Sequence, residues 1–462
     1  MNNPDEETAI AQFGSGDKYF GVCTLMCTLP GLPMFGHGQV EGFHERYGME
    51  YRRARWEEEP DEALVARHRR EIFPLLHRRR QFAEAAEFLL YEAGSGGAVE
   101  DGIFAYSNRV GGQASLVLYN NRYQAAQGWI HRSVPYRDKA AGTLRTRHLG
   151  EGLGLRAGHD DFVVFRDHVS GLEHLRRSRE LCEQGLHVRL GGYEYHVFLD
   201  FAEVADTTGA YATLARHLAG AGVPSVAAAL ESLRTEPLRT ALYELVAAAR
   251  PMLAEAGAGP EAEVEGSLGR FLDEAAALGH SVDRRRAFAQ FPIDLGTMAQ
   301  TAGALDDRPP ESDRGWLVVW CASRLFPVGR CPLRLEEVAL QGTEGWARAI
   351  PIADRHTAAI REWGKSRGSA AGLRRLLAGL LADAEVAALL RLHDYQGITW
   401  FDRDGFRALG RAMVVAGLLG TRSKAVPARA AELAAALARA EDRSGYRVDR
   451  LLAESARVVG RD

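Results

Sequence analysis

Thr28-Leu29-Pro30-Gly31-Leu32-Pro33-Met34-Phe35-Gly36-His37-Gly38-Gln39 is the stretch on which the reading of the chain turns. Asp17 to Thr28 predicts a helix that runs out at Pro30-Gly31. Leu32 to Phe35 then predicts a short buried strand that ends in the glycine-rich turn Gly36 to Gln39. Helix, turn, buried strand and polar loop make one step of an α/β barrel or a doubly wound sheet. Upstream, Asn3-Pro4-Asp5-Glu6-Glu7 is a polar, acidic loop of the kind that leaves a strand. Downstream, a helical pattern returns at Asp61 and sets Leu64, Val65, His68, Ile72 and Leu76 on one side. Pro74 lacks an N–H, so this helix is expected to kink or restart there.

Beyond residue 86 the period changes. Strands are expected at Glu87 to Tyr91, Ile103 to Tyr106, Leu116 to Tyr119, Phe162 to Phe165 and Tyr193 to Phe201. In the last, Tyr193, Tyr195, Val197, Leu199 and Phe201 should share a face. These read as an antiparallel β-sandwich. From residue 202 Ala, Leu and Arg dominate and a helical region is expected, including a helix opened by Pro427 with Leu433 and Leu437 one turn apart. At roughly 150 residues per domain, the 462 residues suit about three domains, divided as 1–85, 86–201 and 202–462.

With 57 Lys+Arg against 61 Asp+Glu and a net charge of −4, no concentrated positive charge points to nucleic acid or a membrane surface. Arg78 to Arg80 and Arg284 to Arg286 read as solvated helix faces. Five cysteines without CxxC spacing argue against a disulfide framework or a structural zinc site, and Cys23 and Cys27 read as small buried hydrophobes. The apolar stretch Trp316 to Phe326 is broken by Arg324 and falls short of the ~20 residues of a spanning helix. With no signal-like start, a cytoplasmic setting is expected.

Residues 1 to about 200 resemble the C-terminal part of a glycoside hydrolase family 13 (α-amylase-type) enzyme. Asn3-Pro4-Asp5 falls where that family has Asn-His-Asp after barrel strand seven, with Asn3 and Asp5 matching. Pro30-Gly31-Leu32-Pro33 and the turn after it match the family's strand eight and its exit loop. A β domain follows, and Tyr47-Gly48-Met49-Glu50-Tyr51-Arg52-Arg53 is similar to a stretch in large bacterial members. The resemblance implies a C-terminal fragment of a (β/α)₈ barrel holding strands seven and eight, then a β-sandwich, then a helical domain.

The resemblance also implies site residues. Asp5 corresponds to the carboxylate that stabilises the transition state, and Asn3, His37, Gln39 and Glu41 lie where substrate hydroxyls are bound. Tyr47, Tyr51 and Trp56 are aromatics that either stack on sugar or pack on the barrel. Pro4 stands where the family places His and removes a side-chain donor. Retaining glycosidases need a nucleophile and a proton donor about 5 to 5.5 Å apart. By resemblance these follow strands four and five, and the chain has neither. The expected partner is therefore α-glucan or maltooligosaccharide, together with the missing N-terminal barrel portion; no cofactor, metal, nucleic acid or membrane is expected. The alternatives are a non-catalytic carbohydrate- or partner-binding protein, or one chain of a split enzyme. Two further stretches complete the reading: Gly150-Glu151-Gly152-Leu153-Gly154 as a loop between strands, and Leu392 to Phe401 as a hydrophobic plug amid helices, with a docking surface as the alternative.

Overall fold

The computed structural model describes residues 1–3, 5–46, 53–95, 97–138, 142–253, 261–305, 311–326, 331, 346–365, 369–421, 423–455 and 457. Pro4 and the stretch from Tyr47 to Arg52, with both its tyrosines, lie outside the described residues. The chain forms two compact units, Met1–Arg234 and Thr235–Asp462.

The first unit begins with helices. α1 (Ala9–Phe13) and α2 (Asp17–Thr28) precede a long loop, after which α3 (Glu62–Arg67) starts on Asp61, whose carboxylate accepts from the Ala63 and Leu64 amides at 3.0 and 3.1 Å. Where Pro74 cannot donate, His68–Ile72 form a π-helical turn before the helix resumes as α4 (Phe73–His77) and α5 (Arg79–Phe82). Leu32 to Phe35 is not a strand, and Leu32 and Met34 are 84% and 70% exposed. The expectation of a buried strand there fails because, among the described residues, no strand pairs with this segment, which leaves its backbone without a ladder.

A single curled antiparallel sheet follows. Its strands are β1 (Leu89–Ser95), β2 (Ala98–Val99), β3 (Ile103–Val110), β4 (Gln113–Asn120), β5 (Ala126–Ser133), β8 (Asp161–Asp167), β9 (Glu173–Arg177), β10 (Leu186–Leu190) and β11 (Tyr195–Ala205). Their order is β10-β5-β1-β3-β4-β11-β8-β9, with β2 beside β1, while β6 (Tyr136–Arg137) and β7 (Leu144–Arg145) make a separate small ladder. The expected strands are therefore present, yet they share one sheet. One face closes over Ile130, Val163, Phe165 and Val188, covered by α6 (Leu149–Leu153) and α7 (Ser178–Glu183). The other face, with Tyr106, Val117, Tyr119 and Val197, takes Tyr19, Phe20 and Cys23 of α2. A helical layer thus occupies the side where a sandwich would have its second sheet.

Two sequence readings change here for physical reasons. Tyr195, Val197 and Leu199 share a face, but Phe201 packs on the opposite core beside Phe165. Asp200 has φ of 56° and the ladder with β8 shifts register between Leu199 and Ala202, so a bulge resets the alternation. Gly150 to Gly154 form the helix α6 and its left-handed cap rather than a loop. A Cβ on Gly152 would lie 2.1 Å from the Tyr91 hydroxyl, so this helix needs glycine to approach the sheet.

The arginine cluster is also more than a solvated face. Arg79 donates to the carbonyls of Cys27 (2.8 Å) and Leu29 (2.9 Å) and to that of Gly31, closing the open end of α2. Arg78 grips Asp200 at 2.6 and 3.1 Å. The unit ends with α8 (Ala210–Leu218) and the start of α9 (Val226–Ala249).

The second unit is mostly helical: α10 (Glu261–Ala277), α11 (Arg284–Ala304), α12 (Glu311–Ser323), α13 (Trp346–Arg355), α14 (Thr357–Lys365), α15 (Ala370–Leu381), α16 (Ala384–Leu389), α17 (Arg403–Leu418), α18 (Val426–Ser444) and α19 (Val448–Glu454). Val318, Trp320 and Cys321 from the long apolar stretch lie at its core, and Pro427 opens α18, whose Leu433 and Leu437 are buried. Leu392 to Phe401 contains a hairpin, β12 (His393–Tyr395) with β13 (Ile398–Trp400). Tyr395 at its tip is 62% exposed, while Phe401 is buried in the core against Phe406 and Tyr446 and Leu392 packs on its margin.

The contact between α2 and the sheet is tight at one point. A Cβ on Gly21 would stand 2.2 Å from the Tyr119 ring. Although alanine favours a helix interior by about 0.5–1 kcal/mol, Gly21→Ala is expected to lower stability by about 1–3 kcal/mol through overpacking. Urea denaturation of the two proteins measures it.

Candidate functional site

Five residues were expected to gather from two loops, Asn3 and Asp5 in one and His37, Gln39 and Glu41 in the other. The structure does bring the loops together, through Asn2. Its amide N–H donates to Gln39 Oε1 (2.9 Å) and its Nδ2 to the His37 carbonyl (2.9 Å). Its Oδ1 accepts from the Ala9 amide at 2.6 Å, tying the same residue to α1. The Met1 amino group reaches the Met34 carbonyl at 3.4 Å. Gly36 has to be glycine at this contact, since a Cβ would lie 2.4 Å from the Asn2 carbonyl oxygen.

Asn3 shapes the acidic loop. Its Oδ1 accepts from the amides of Asp5 (2.9 Å) and Glu6 (2.8 Å), an Asx-type turn that leaves the Asp5, Glu6 and Glu7 side chains exposed. Arg46 crosses to this loop, donating to the Asp5 carbonyl at 3.3 Å and standing 3.8 Å from Glu7. Both side chains of that ion pair are more than half exposed, so it contributes little to stability.

The exit turn is divided between surface and interior. His37 is exposed, with its ring 5.9 Å from that of Phe43. Gln39 is 1% exposed and its side chain is committed to Asn2, so its work here is to hold the loops together. Glu41 is half-buried, and its carbonyl accepts from the Asp61 amide at 2.9 Å. Farther along, the Glu45 carboxylate accepts from the amides of Arg55 and Trp56, and that of Glu58 from His44 and Glu45. These clasps present Trp56 at 59% exposure. The hydrogen bonds to the Trp56 and Arg55 amides hold the Glu45 carboxyl below its usual range despite partial desolvation.

Behind the turn lies a buried polar pair that the sequence reading did not assign. Tyr19 donates its hydroxyl proton to the Gln39 carbonyl (2.7 Å), and His68 Nε2 lies 2.9 Å from the Tyr19 hydroxyl oxygen. With that proton committed, Nε2–H must be the donor to Tyr19, which leaves Nδ1 as the bare nitrogen. Both His68 Nδ1 and Gln39 Nε2 are buried and without a hydrogen-bond partner among the described residues. Burial pushes the Tyr19 phenol well above its ordinary value and the His68 imidazole down to about 4, against the partial opposition of Glu41 and Glu71. The signal for His68 was its place on the apolar face of a helix, while Asn2 and Tyr19 carried none.

The π-helical turn is fastened by Glu71, which accepts from Arg67 (3.0 Å), Arg70 (2.7 Å) and the Tyr195 hydroxyl, while Arg67 also reaches Asp17 at 2.7 Å. Among the described residues no group of three or more His, Cys, Asp or Glu is placed to hold a metal ion, and no helix is long and apolar enough to cross a membrane. Chemically, the two loops offer exposed carboxylates at Asp5, Glu6 and Glu7 and an exposed imidazole at His37, groups able to exchange hydrogen bonds with a polar ligand. No family model and no curated protein matches this chain.

His68 gives the site a pH signature. Between about 4 and 6.5 the unfolded chain binds a proton here that the folded protein excludes, so stability present at neutral pH is lost as pH falls through 6.5 towards 4. Acidification from pH 7 to 4.5 is expected to remove about 2 kcal/mol through this residue. His68→Gln, which keeps a donor for Tyr19, should flatten that part of the profile in urea titrations at several pH values.

Proposed function

We propose that this chain serves an α-amylase-like glycoside hydrolase acting on α-glucan, supplying substrate contacts and transition-state stabilisation rather than the catalytic pair. In this reading the finer fold derives from the closing part of a (β/α)₈ barrel, with the segments at 1–2 and 34–37 standing where strands seven and eight would run but forming no ladder, followed by the curled-sheet region and a helical domain. The observation that carries it is the course of two segments. Met1 lies by Met34, and Asn2 by Gly36 and His37, so residues 1–2 and 34–37 run side by side in the same direction with α1 and α2 between them in sequence. Neighbouring parallel segments joined by a helical crossover are the repeating step of such a barrel, and its active site forms where they end. The Asn-x-Asp loop and the Gly-rich exit turn then share one mouth.

Within that mouth Asp5 would place negative charge near a sugar whose ring becomes oxocarbenium-like, and His37 would hydrogen-bond hydroxyls. Asn2, Gln39 and the Tyr19–His68 pair act by positioning these loops. The nucleophile and the proton donor of a retaining mechanism have no counterparts in the residues the resemblance covers.

Two measurements test this. The purified chain should release no reducing sugar from starch above the blank; release at ordinary enzyme rates would mean that the acid and nucleophile lie elsewhere in it. Maltoheptaose should quench Trp fluorescence on binding, and Asp5→Ala should weaken that binding roughly tenfold, the loss of one hydrogen bond to a charged group. Quenching indifferent to Asp5→Ala removes this site from the function.

A further inference from the structure

A second surface in the first unit has the construction of a sugar platform. Asn120, at the end of β4, is fully buried and uses its whole amide: Nδ2 donates to the carbonyls of Gln124 and Gly191, both at 2.8 Å, and Oδ1 accepts from the Arg122 amide at 3.1 Å. It thereby pins two loops to each other. The Tyr193 amide adds a bond to the Arg122 carbonyl at 3.0 Å. The loops meet so closely that a Cβ on Gly192 would lie 2.1 Å from the Tyr123 carbonyl oxygen.

What this rigid joint presents is aromatic. Tyr123 is 79% exposed and meets Tyr193 edge to face, with ring centres 6.4 Å apart. Tyr193 has φ of 58°, a conformation that bulky residues rarely adopt, although glycines stand at the two preceding positions. Such an outlier persists where the surroundings fix it, and it concentrates at sites that hold ligands. At the same end of the sheet Phe104, 42% exposed, stacks on Tyr119, its cross-strand partner, at 6.4 Å, and the Tyr119 phenol, raised by burial, lies near enough to Tyr193 to be raised by it as well. Lys18 stands over Tyr193, 5.9 Å from its ring centre.

We propose that Tyr123, Tyr193 and Phe104 form a binding platform for the pyranose rings of an α-glucan chain, separate from the loops that carry Asp5. The choice of α-glucan rests on the function proposed above; the choice of a sugar rests on the surface itself. A pyranose offers C–H faces to flat rings and hydroxyls to the phenols and ammonium at their margins. A preorganised aromatic pair loses little freedom on binding.

Native gels of the full chain with glycogen embedded test this. Wild type should be retarded, Tyr123→Ala and Phe104→Ala should each weaken apparent affinity about three- to tenfold, and Tyr123→Phe should restore it. Unchanged thermal melting of Tyr123→Ala, expected from its exposure, keeps folding out of the comparison. Retardation absent in wild type, or kept in the Tyr123→Ala/Phe104→Ala double variant, overturns the platform. Loss with Asp5→Ala alone overturns it while upholding the Asp5 site. Loss with Tyr123→Ala alone upholds it even if maltoheptaose quenching proves independent of Asp5. Equal retardation by a β-glucan overturns the α-glucan assignment. Concentration-dependent sedimentation that disappears in Tyr123→Ala would instead assign these rings to contact between copies of the chain.

Discussion

Strand β4 is buried on both faces, and the first unit is organised around that fact. From Ala114 to Asn120 every residue is enclosed, so the hydrophobic effect demands cover on two sides. The curl of the sheet supplies one cover by folding β5, β8 and β10 over Leu116 and Leu118. Helix α2 supplies the other by lying against Val117 and Tyr119, and it can come close enough only where Gly21 omits a side chain. Arg79 then satisfies the carbonyls at the end of α2, which carries the chain directly into the exit turn. The surface loops of the candidate site are thus extensions of a buried layer.

This arrangement explains which features the sequence revealed. The period-two runs named strands at β1, β3, β4, β8 and β11 because alternation depends only on local geometry. The helix at Asp17 to Thr28 and the break at Pro74 were equally visible, the first from periodicity and the second from a missing N–H. Pairing was not. Whether strands form one sheet or two depends on which partners they find, and the composition of Leu116 to Tyr119 suits either. Leu32 to Phe35 shows the opposite failure: its side chains suit a buried strand, but a strand requires neighbours to bond.

The candidate site was legible in its exposed members and opaque in its supports. Asn3, Asp5 and His37 stand in loops with recognisable residue types, and the structure sets those loops side by side. The bonds that do this run through Asn2 and Gln39, and behind them through Tyr19 and His68. Nothing in spacing relates Tyr19 to His68, since the contact joins α2 to the π-helical turn after α3. Electrostatically the site has two layers. Carboxylates and imidazole stand in solvent, while the histidine beneath them is kept uncharged by desolvation. The surface can therefore carry charge without placing charge in the core.

The bulge at Asp200 governs how the long strand β11 tolerates change in its length. Because left-handed backbone at that one residue reverses the parity of inward and outward positions, Tyr195, Val197 and Leu199 serve the helical layer while Phe201 joins Phe198 in the interior of the curl. The strand is a splice of two half-strands with opposite facing rules. Deleting a single residue at the splice would exchange those rules for everything beyond it, whereas Arg78, clamped on the Asp200 carboxylate, holds the junction in register. One exposed ion pair thereby marks the point at which two hydrophobic cores divide a common strand between them.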